Sequence, residues 1–547
     1  IRSLRRLFAS GCAASAFYGE RVRDIVYQVV VNIPLFWDPF CKKRHFIEAH
    51  IMEAHTHMKK TIVVVLFLSL LLSLPVSFTA CGGGEAEETA GAESISGTSG
   101  LEVESETTYL DTLGVRDFGG ASYVMYVQDD TNIPILNMQS GEVTGEILND
   151  TQYNRDREIE DAYNVKIEYP EWTGSEEMAP TIRSAVQSGD AVCDVFIDSL
   201  RDGSSGLGSI VQQGVLYNLL DVPHLSLDAE WWSPLMYQNT QYNGKMFFTS
   251  GDMAPFSFIG PACVYMNQNL AANYSVDEQA IYELVYSGKW TFDELYSRYE
   301  GLDTDLNGDG KMHCLDDFYG IVTEYNNLTS TLLLVANDVK LCETGADGRL
   351  AIHLDDERTV AVIDKMAKYF QKIENNNDNT LLFDQTFKYD RALFAIHYVE
   401  STLRRFRDME SDYVILPMPK YDVEQESYVS YINPWVKGFI SIPLTQDDID
   451  KTGFITEVME YKSVEMLRPA IYDVTLKGKA LRNEDSLAML DIVFNTTYID
   501  FNGIYEFGGV LGAVNGAIFY DKPYISAYEK ALPKAESQLD DFMKAFD

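Results

Sequence analysis

The fold class is indicated by three short apolar segments: ASYVMYV at Ala121–Val127, VKIEY at Val165–Tyr169 and CDVFI at Cys193–Ile197. Each has the length and the residue types of a β-strand. The intervening segments, Gly145–Tyr163 and Thr181–Ser188, place apolar residues at helical spacing. Because strands that alternate with helices are typical of parallel βαβ units, the sequence predicts an α/β protein.

Polar and aromatic residues follow each of these predicted strands. They are Asp129 and Asp130 after the first strand, Trp172 after the second, and Asp198 and Ser199 after the third. In open parallel sheets, ligands bind beyond the edge at which the carboxyl ends of the strands meet. We therefore expect a ligand site near these five residues.

The composition is that of an acidic globular protein. Of the 547 residues, 46% are hydrophobic and 23% are charged, which excludes disorder along the whole chain. The length favours about two to four domains. Asp and Glu number 83 against 43 Lys and Arg, which gives a net charge of −40. Since nucleic-acid binding needs clustered cations, no nucleic-acid partner is expected.

The segment around residues 58–81 resembles the signal peptide of a bacterial lipoprotein. A positive start at Met58–Lys60 precedes an apolar run, Ile62–Leu74, that is shorter than the about 20 residues a spanning helix needs. Small residues then lead to Cys81, although Phe78 replaces the usual Leu. The resemblance implies lipid attachment at Cys81 and a location on the extracytoplasmic face of the bacterial membrane. The alternative is an ordinary signal peptide followed by an accidental cysteine.

The chain before residue 107 is accordingly divided into three parts. We interpret residues 1–57 as a gene-start artefact, and residues 58–80 as the signal peptide. Residues 81–106 are expected to form a lipid-anchored flexible linker, because residues 82–106 contain seven Glu and no Lys or Arg.

Several short motifs occur in a characteristic order. They are NGK at Asn243–Lys245, YMNQNL at Tyr265–Leu270, KWT at Lys289–Thr291 and LPMPK at Leu416–Lys420. The order of these motifs, together with the lipoprotein-type cleavage sequence before Cys81, makes the chain from about residue 121 to its end resemble extracellular solute-binding proteins of family 1. These are the periplasmic-binding-protein-like receptors of carbohydrate ABC importers.

The resemblance implies a two-lobe periplasmic-binding-protein-like fold with a hinge and an interlobe ligand cleft. By analogy, residues 107–252 and 428–482 form lobe one, and residues 253–427 and 483–547 form lobe two. It also implies a monomer that binds a carbohydrate, with an oligosaccharide favoured, and delivers it to ABC permease subunits in the membrane. A closing amphipathic helix is expected at Tyr524–Phe546.

The candidate sugar-binding residues are loop aromatics and carboxylates, because a pyranose presents an apolar face and a set of hydroxyl groups. They are Asp129, Trp172, Asp198, Trp231, Trp232, Tyr398 and Trp435. The alternatives are that Asp198 caps a helix and that the tryptophans only pack in the gap between the two lobes. Trp290 is instead expected to pack behind a helix start at which Thr291 caps and Glu294 follows.

An acidic loop matches the spacing of EF-hand-type calcium ligands. Asp305, Asn307, Asp309 and Asp316 fill positions one, three, five and twelve, and Lys311 offers its carbonyl at position seven. The sequence predicts a structural Ca²⁺ here, although Asp stands where a bidentate Glu is usual. The alternative is a plain acidic surface turn. No cofactor for function is expected.

Catalytic motifs such as HExxH, GxSxG, a Walker loop or GxGxxG do not occur in the sequence. We therefore expect a binding protein rather than an enzyme. The alternatives are a secreted lipoprotein glycoside hydrolase or lyase that uses two carboxylates, or the same fold with a non-sugar solute. Cys193, Cys263, Cys314 and Cys342 could form two disulfides or stay free, since no CxxC spacing decides between these states.

Overall fold

The computed structural model describes residues 108–127, 132–138, 141–170, 178–200, 206–370, 383–475 and 484–547. The predicted signal peptide, the linker with Cys81, and the candidate ligand residues Asp129 and Trp172 lie outside the described residues. Residues Glu104–Asp547 form one compact unit. Among the described helices, none combines the length and the apolar character that crossing a bilayer requires.

The α-helices are numbered in chain order. They are α1 (Tyr109–Leu113), α2 (Ile147–Tyr163), α3 (Met178–Ser188), α4 (Gly208–Val211), α5 (Pro234–Asn239), α6 (Gln268–Asn273), α7 (Glu278–Tyr286), α8 (Phe292–Tyr299), α9 (Asn327–Ala336), α10 (Glu357–Phe370), α11 (Phe383–Lys388), α12 (Glu400–Arg404), α13 (Ile449–Thr475), α14 (Glu484–Asn495), α15 (Phe501–Tyr505), α16 (Val510–Tyr520) and α17 (Tyr524–Lys544).

The strands are short and fall into two main sheets and two small pairs. They are β1 (Ala121–Val127), β2 (Val165–Glu168), β3 (Val195–Asp198), β4 (Thr249–Ser250), β5 (Ala262–Asn267), β6 (Tyr319–Val322), β7 (Glu343–Thr344), β8 (Leu350–Ala351), β9 (Ala392–Tyr398), β10 (Tyr413–Leu416), β11 (Ser430–Tyr431), β12 (Phe439–Ser441) and β13 (Thr497–Tyr498).

The first sheet has the order β2-β1-β3-β12-β4 and the second has the order β10-β5-β9-β6. Strand β1 pairs in parallel with β2 and β3, which confirms the predicted βαβ units. Strand β12 runs antiparallel to β3 and β4, and β5 runs antiparallel to β9 and β10. The protein is therefore mixed α/β rather than purely parallel.

The Asn243-Gly244 sequence within residues 242–250 is typical of a β-hairpin, and the structure has the turn without the hairpin pairing. Asn243 and Gly244 have φ values of 50° and 71°, and Tyr242 bridges to Lys245 across the turn. Strand β4 does not return onto this turn but pairs with β12, almost two hundred residues later. The local sequence specified the reversal, whereas the partner was specified by a distant strand.

Helix α13 is fixed against the first sheet and against α2. Thr456 of α13 hydrogen-bonds to Tyr123 of β1 at 2.7 Å. Arg155 of α2 is fully buried and donates to Asp156 at 2.7 Å and to Ser463 of α13 at 3.0 Å. These satisfied polar contacts fix the rotation of α13 and therefore the direction of its polar side chains.

The two sheets are linked through the segment that follows β11. Pro261, just before β5, forms a bridge with Ile432. The amide of Asn433 donates to the carbonyl of Gly260 at 2.9 Å, and the amide of Leu200 donates to the carbonyl of Pro434 at 2.8 Å. Residues 432–434 thus contact both the end of β3 and the start of β5.

Candidate functional site

Trp435 lies at this junction between the sheets. Its side chain is 55% exposed, an unusual state for an indole in a folded protein. Its amide donates to Asn433 Oδ1 at 3.0 Å, which fixes the local turn. The preceding residue, Pro434, accepts the amide of Leu200, which follows β3. An exposed aromatic surface is therefore presented close to the carboxyl end of a central strand.

Tyr398 ends strand β9, next to the start of β5, where it pairs with Ala262. The side chain is only 3% exposed, and its hydroxyl has no hydrogen-bond partner within the described part of the chain. Burial, together with the negative charges of Glu324 and Glu400, raises the pKa of Tyr398 well above its ordinary value. Its hydroxyl therefore stays protonated and can donate to an acceptor.

Asp198 ends β3 and is 1% exposed. Its Oδ1 accepts the amide of Ser199 at 2.7 Å, so the carboxylate caps the chain as it leaves the strand. This contact is with the next residue along the chain and is not the helix cap given as the structural alternative for Asp198. Its contact with a ligand remains a prediction.

A charged cluster lies at the carboxyl ends of β6 and β9, which pair in parallel. Glu324 lies 3.7 Å from His397 Nε2 and 3.5 Å from Arg405 Nη2. It also accepts a hydrogen bond from Asn326 at 2.7 Å. Burial alone would raise the pKa of Glu324, but the hydrogen bonds and the positive charges of His397 and Arg405 lower it overall. Glu324 is therefore a stable anion at neutral pH.

A separate cavity of about 530 Å³ contains both members of the Trp231–Trp232 pair in its lining. The other lining residues lie within residues 233–234, 250–261, 461–468 and 494–497, together with Glu230 and Ile432. Trp435, Tyr398 and Asp198 are not among them. The structure thus divides the predicted ligand residues between two places.

One carboxylate orients the tryptophans of this cavity. Fully buried Glu457 accepts the indole N–H of Trp231 at 3.0 Å and that of Trp232 at 2.9 Å. It also accepts the hydroxyl of Tyr109 at 2.9 Å. The ring of Tyr109 lies 4.3 Å from that of Trp231, and Trp232 is only 3% exposed. Trp231 is therefore the partly exposed indole of the pair and Trp232 supports it.

The cavity lining also includes a charged pair between α13 and the segment after β4. Arg468 donates to Asp252 through Nε at 2.6 Å and Nη2 at 3.2 Å. Buried Glu460 accepts the amides of Asp252 and Met253 at 2.7 and 2.9 Å. A Cβ at Gly251 would lie 2.4 Å from Glu460 Oε2, so only glycine permits this close approach.

Sequence reasoning missed the contributions of α13. Glu457, Tyr461 and Arg468 lie on one face of the helix, at spacings of four and seven residues. A stripe of polar side chains at this spacing was the available signal. Its meaning depended on the distant residues Trp231 and Asp252, which no local pattern connects to α13.

The acidic loop that begins at Asp305 is held by its own hydrogen bonds. Asp305 accepts the amides of Gly308 at 2.6 Å and Gly310 at 2.8 Å. Asn307 and Asp309 each accept the amide two residues later at 2.8 Å. The side chains therefore adopt compact Asx turns.

The far end of the loop is closed by Asp317 rather than by Asp316. Fully buried Asp317 accepts the amides of Leu306 at 2.9 Å and His313 at 2.6 Å, whereas Asp316 lies 3.3 Å from His313 Nδ1. In the described ranges, no three His, Cys, Asp or Glu side chains form a metal-binding group. Calcium binding by Asp305, Asn307, Asp309, Lys311 and Asp316 therefore stays a prediction.

The remaining local predictions have clear outcomes. Trp290 is fully buried and donates to the carbonyl of Pro417 at 3.0 Å, and Thr291 caps α8 by accepting the amide of Glu294. Both expectations for this helix start are confirmed. The four cysteines of the described chain, Cys193, Cys263, Cys314 and Cys342, are all free and buried.

Comparison with known proteins gives a result for the fold. No family model and no curated protein matches the chain. Among solved structures, it is similar to UspC of M. tuberculosis, with a TM-score of 0.51 and 11% sequence identity. The match covers 76% of this chain and 99% of the UspC chain. At this identity the similarity concerns the fold alone, and it relates the mixed α/β architecture to a known structure.

Proposed function

We propose that this protein is the substrate-binding lipoprotein of an ABC importer. It captures a carbohydrate, with an oligosaccharide favoured, between lobe one (residues 107–252 and 428–482) and lobe two (residues 253–427 and 483–547). It then delivers the sugar unchanged to membrane permease subunits. In this proposal the chain is a monomer held at the extracytoplasmic face of the membrane through lipid on Cys81.

The observation that carries the proposal is the position of Trp435. Its indole is exposed on a segment whose backbone is hydrogen-bonded to Leu200, two residues after β3, and to Gly260, two residues before β5. A flat aromatic face at the junction of two sheets suits the apolar face of a pyranose. A sugar stacked there would contact groups from both lobes and would favour the closed state over the open one.

The hydroxyl of Tyr398 supports a polar ligand at the same junction. Leaving a buried hydroxyl without a partner costs about 1–3 kcal/mol. A sugar hydroxyl that accepts from Tyr398 would remove this cost on binding. Asp198 ends β3 at the carboxyl edge of the parallel strands, where ligands of open sheets bind, and ligand contacts of Asp129 and Trp172 stay predictions from the sequence.

Two further observations support the division into lobes. All five strands of the first sheet fall within the residue ranges of lobe one, and all four strands of the second sheet fall within those of lobe two. The small parallel pair β11–β13 joins one strand from each range. The similarity of fold to UspC is in keeping with this arrangement.

The proposal is tested by thermal unfolding of the purified protein with a panel of mono- and oligosaccharides, followed by recovery of the glycans. A ligand that binds only the folded state adds about 2.7 kcal/mol of stability at 100 times its dissociation constant. Trp435→Ala should abolish the shift. The control is Tyr389→Ala, because Tyr389 is also exposed but lies before the start of β9, at the opposite end of that strand.

Each outcome discriminates between the alternatives. A shift with intact glycan that depends on Trp435 supports the receptor. Recovery of cleaved glycan would show instead that the protein is a glycoside hydrolase or lyase. If no sugar in the panel raises the unfolding temperature, the ligand of the same fold would be a non-sugar solute.

A further inference from the structure

The cavity lined by Trp231 does not include Trp435 of the proposed sugar site, and its lining combines aromatic rings with carboxylates. Its volume of about 530 Å³ falls within the usual range of small-molecule sites, about 300–1,000 Å³. Aromatic rings of Trp231, Tyr461, Phe258 and Phe494 line it. Rings from separate segments thus surround one space large enough for a small organic molecule.

The electrostatics of the wall favour a cation. Glu457 accepts the indole N–H of Trp231 at 3.0 Å from a fully buried position, and it does the same for Trp232 behind it. A carboxylate at the indole nitrogen pushes electron density toward the ring and makes its face more negative. Cations bind to the faces of aromatic rings by this negative potential, and Trp is the strongest of the ring types.

The charged groups that line the cavity leave a surplus of negative charge. Among the described residues that line it, Arg468 is the single cation, and Asp252 engages it in a two-point ion pair. Glu230 and Glu465 also line the cavity, and within the described part of the chain neither makes an ion pair or a hydrogen bond. Two carboxylates therefore remain without a counter-charge beside an electron-rich indole.

We propose that this cavity is a second binding site, for a small alkylammonium cation. Its charged head lies against Trp231 and Tyr461, with Glu230 and Glu465 supplying the counter-charge. A neutral sugar would leave both carboxylates uncompensated, and an anion would be repelled by them. The cavity is lined from both lobes and shares Pro261 and Ile432 with the junction that carries Trp435, but Trp435 itself is not in its lining, so the two sites use different contact residues.

The proposal is tested by calorimetric titration of the purified protein with choline. The matched probe is 3,3-dimethylbutan-1-ol, which has the same shape but carries carbon in place of the charged nitrogen. Choline should bind at least about tenfold more tightly than the alcohol, and its affinity should fall with added salt. Equal affinities for the two probes, or no binding of choline, would overturn the proposal.

Variants locate the site. The double variant Glu230→Gln with Glu465→Gln should weaken choline binding about tenfold, because it removes the counter-charge of the cation. Both side chains are exposed, so the variant should keep the fold. The matched control is Glu529→Gln on α17, an exposed glutamate outside the cavity, which should bind choline as the parent does. Unchanged affinity in the double variant would place the cation elsewhere. Trp435→Ala separates the two sites, because Trp435 does not line the cavity: the variant should lose sugar binding and bind choline as the parent does.

Discussion

The carboxylate of Asp252 receives two hydrogen bonds from the guanidinium of Arg468, from Nε at 2.6 Å and from Nη2 at 3.2 Å. Asp252 begins the segment that leads from β4 to β5, and Arg468 lies on α13. Burial raises the pKa of Asp252, and the positive charge of Arg468 limits that rise. This two-point contact, together with the hydrogen bonds to Glu460, attaches the segment between β4 and β5 to α13.

Removal of the guanidinium should destabilise the protein. Arg468→Ala leaves the buried Asp252 carboxylate without a cation, and we expect a loss of about 2–3 kcal/mol in the free energy of unfolding. Arg468→Lys keeps the charge but not the forked geometry, so its loss should be smaller, about 1–2 kcal/mol. Urea denaturation measures both. Equal stability of Arg468→Ala and the parent would mean that the pair does not hold this segment.

Tyr398→Phe should separate stability from ligand binding. Because the hydroxyl has no partner in the described chain, its removal should change the free energy of unfolding by less than about 0.5 kcal/mol, or raise it. The affinity for the sugar should fall about five- to tenfold, since a hydrogen bond to the ligand is lost. Chemical denaturation and sugar titration of the same preparation test this. A large loss of stability would show that the hydroxyl supports the fold instead.

The pH dependence of stability should carry a contribution from Glu324. Its pKa is lowered in the folded state from an ordinary value of 4.5, so the unfolded chain binds its proton more readily. The stabilisation is therefore present above about pH 4.5 and is lost as the pH falls through the lowered folded pKa.

Glu324→Gln makes this contribution measurable. The stability difference between parent and variant should be about 1–2 kcal/mol near pH 6 and should shrink as the pH falls below 4.5. Urea denaturation between pH 3 and pH 6, with Glu529→Gln as the exposed control, tests the sign. A difference that grows toward low pH would contradict a lowered pKa.

The acidic loop predicts a response to calcium. If Asp305 is a ligand, added Ca²⁺ should raise the melting temperature by a few degrees relative to chelator, as expected for about 1–2 kcal/mol in a protein of this size. Asp305→Asn should remove the response. Asp347→Asn is the matched control, because Asp347 also accepts a backbone amide in an exposed acidic turn outside the loop. Identical melting temperatures with Ca²⁺ and with chelator would show that the loop is held by its own hydrogen bonds without a metal.

Local patterns predicted the elements that depend on neighbouring residues. Strand β1 has the bounds its apolar run indicated, and α8 starts at the Thr291 cap. The final helix was expected at Tyr524–Phe546 and occupies Tyr524–Lys544. In each case the deciding interactions lie within a few residues, so strand alternation, helical spacing and capping residues were sufficient.

The sequence by itself determined the α/β class, the parallel units of β1 to β3, the acidic surface charge and the positions of the loop tryptophans. Only the tertiary structure decided that β4 pairs with β12, that Trp231 and Trp232 share Glu457 more than two hundred residues away, and that Trp435 is exposed between two sheets. These relationships join segments far apart in the chain. Their partners are selected by packing and by the need to satisfy buried polar groups, and neither leaves a periodic trace in the local sequence.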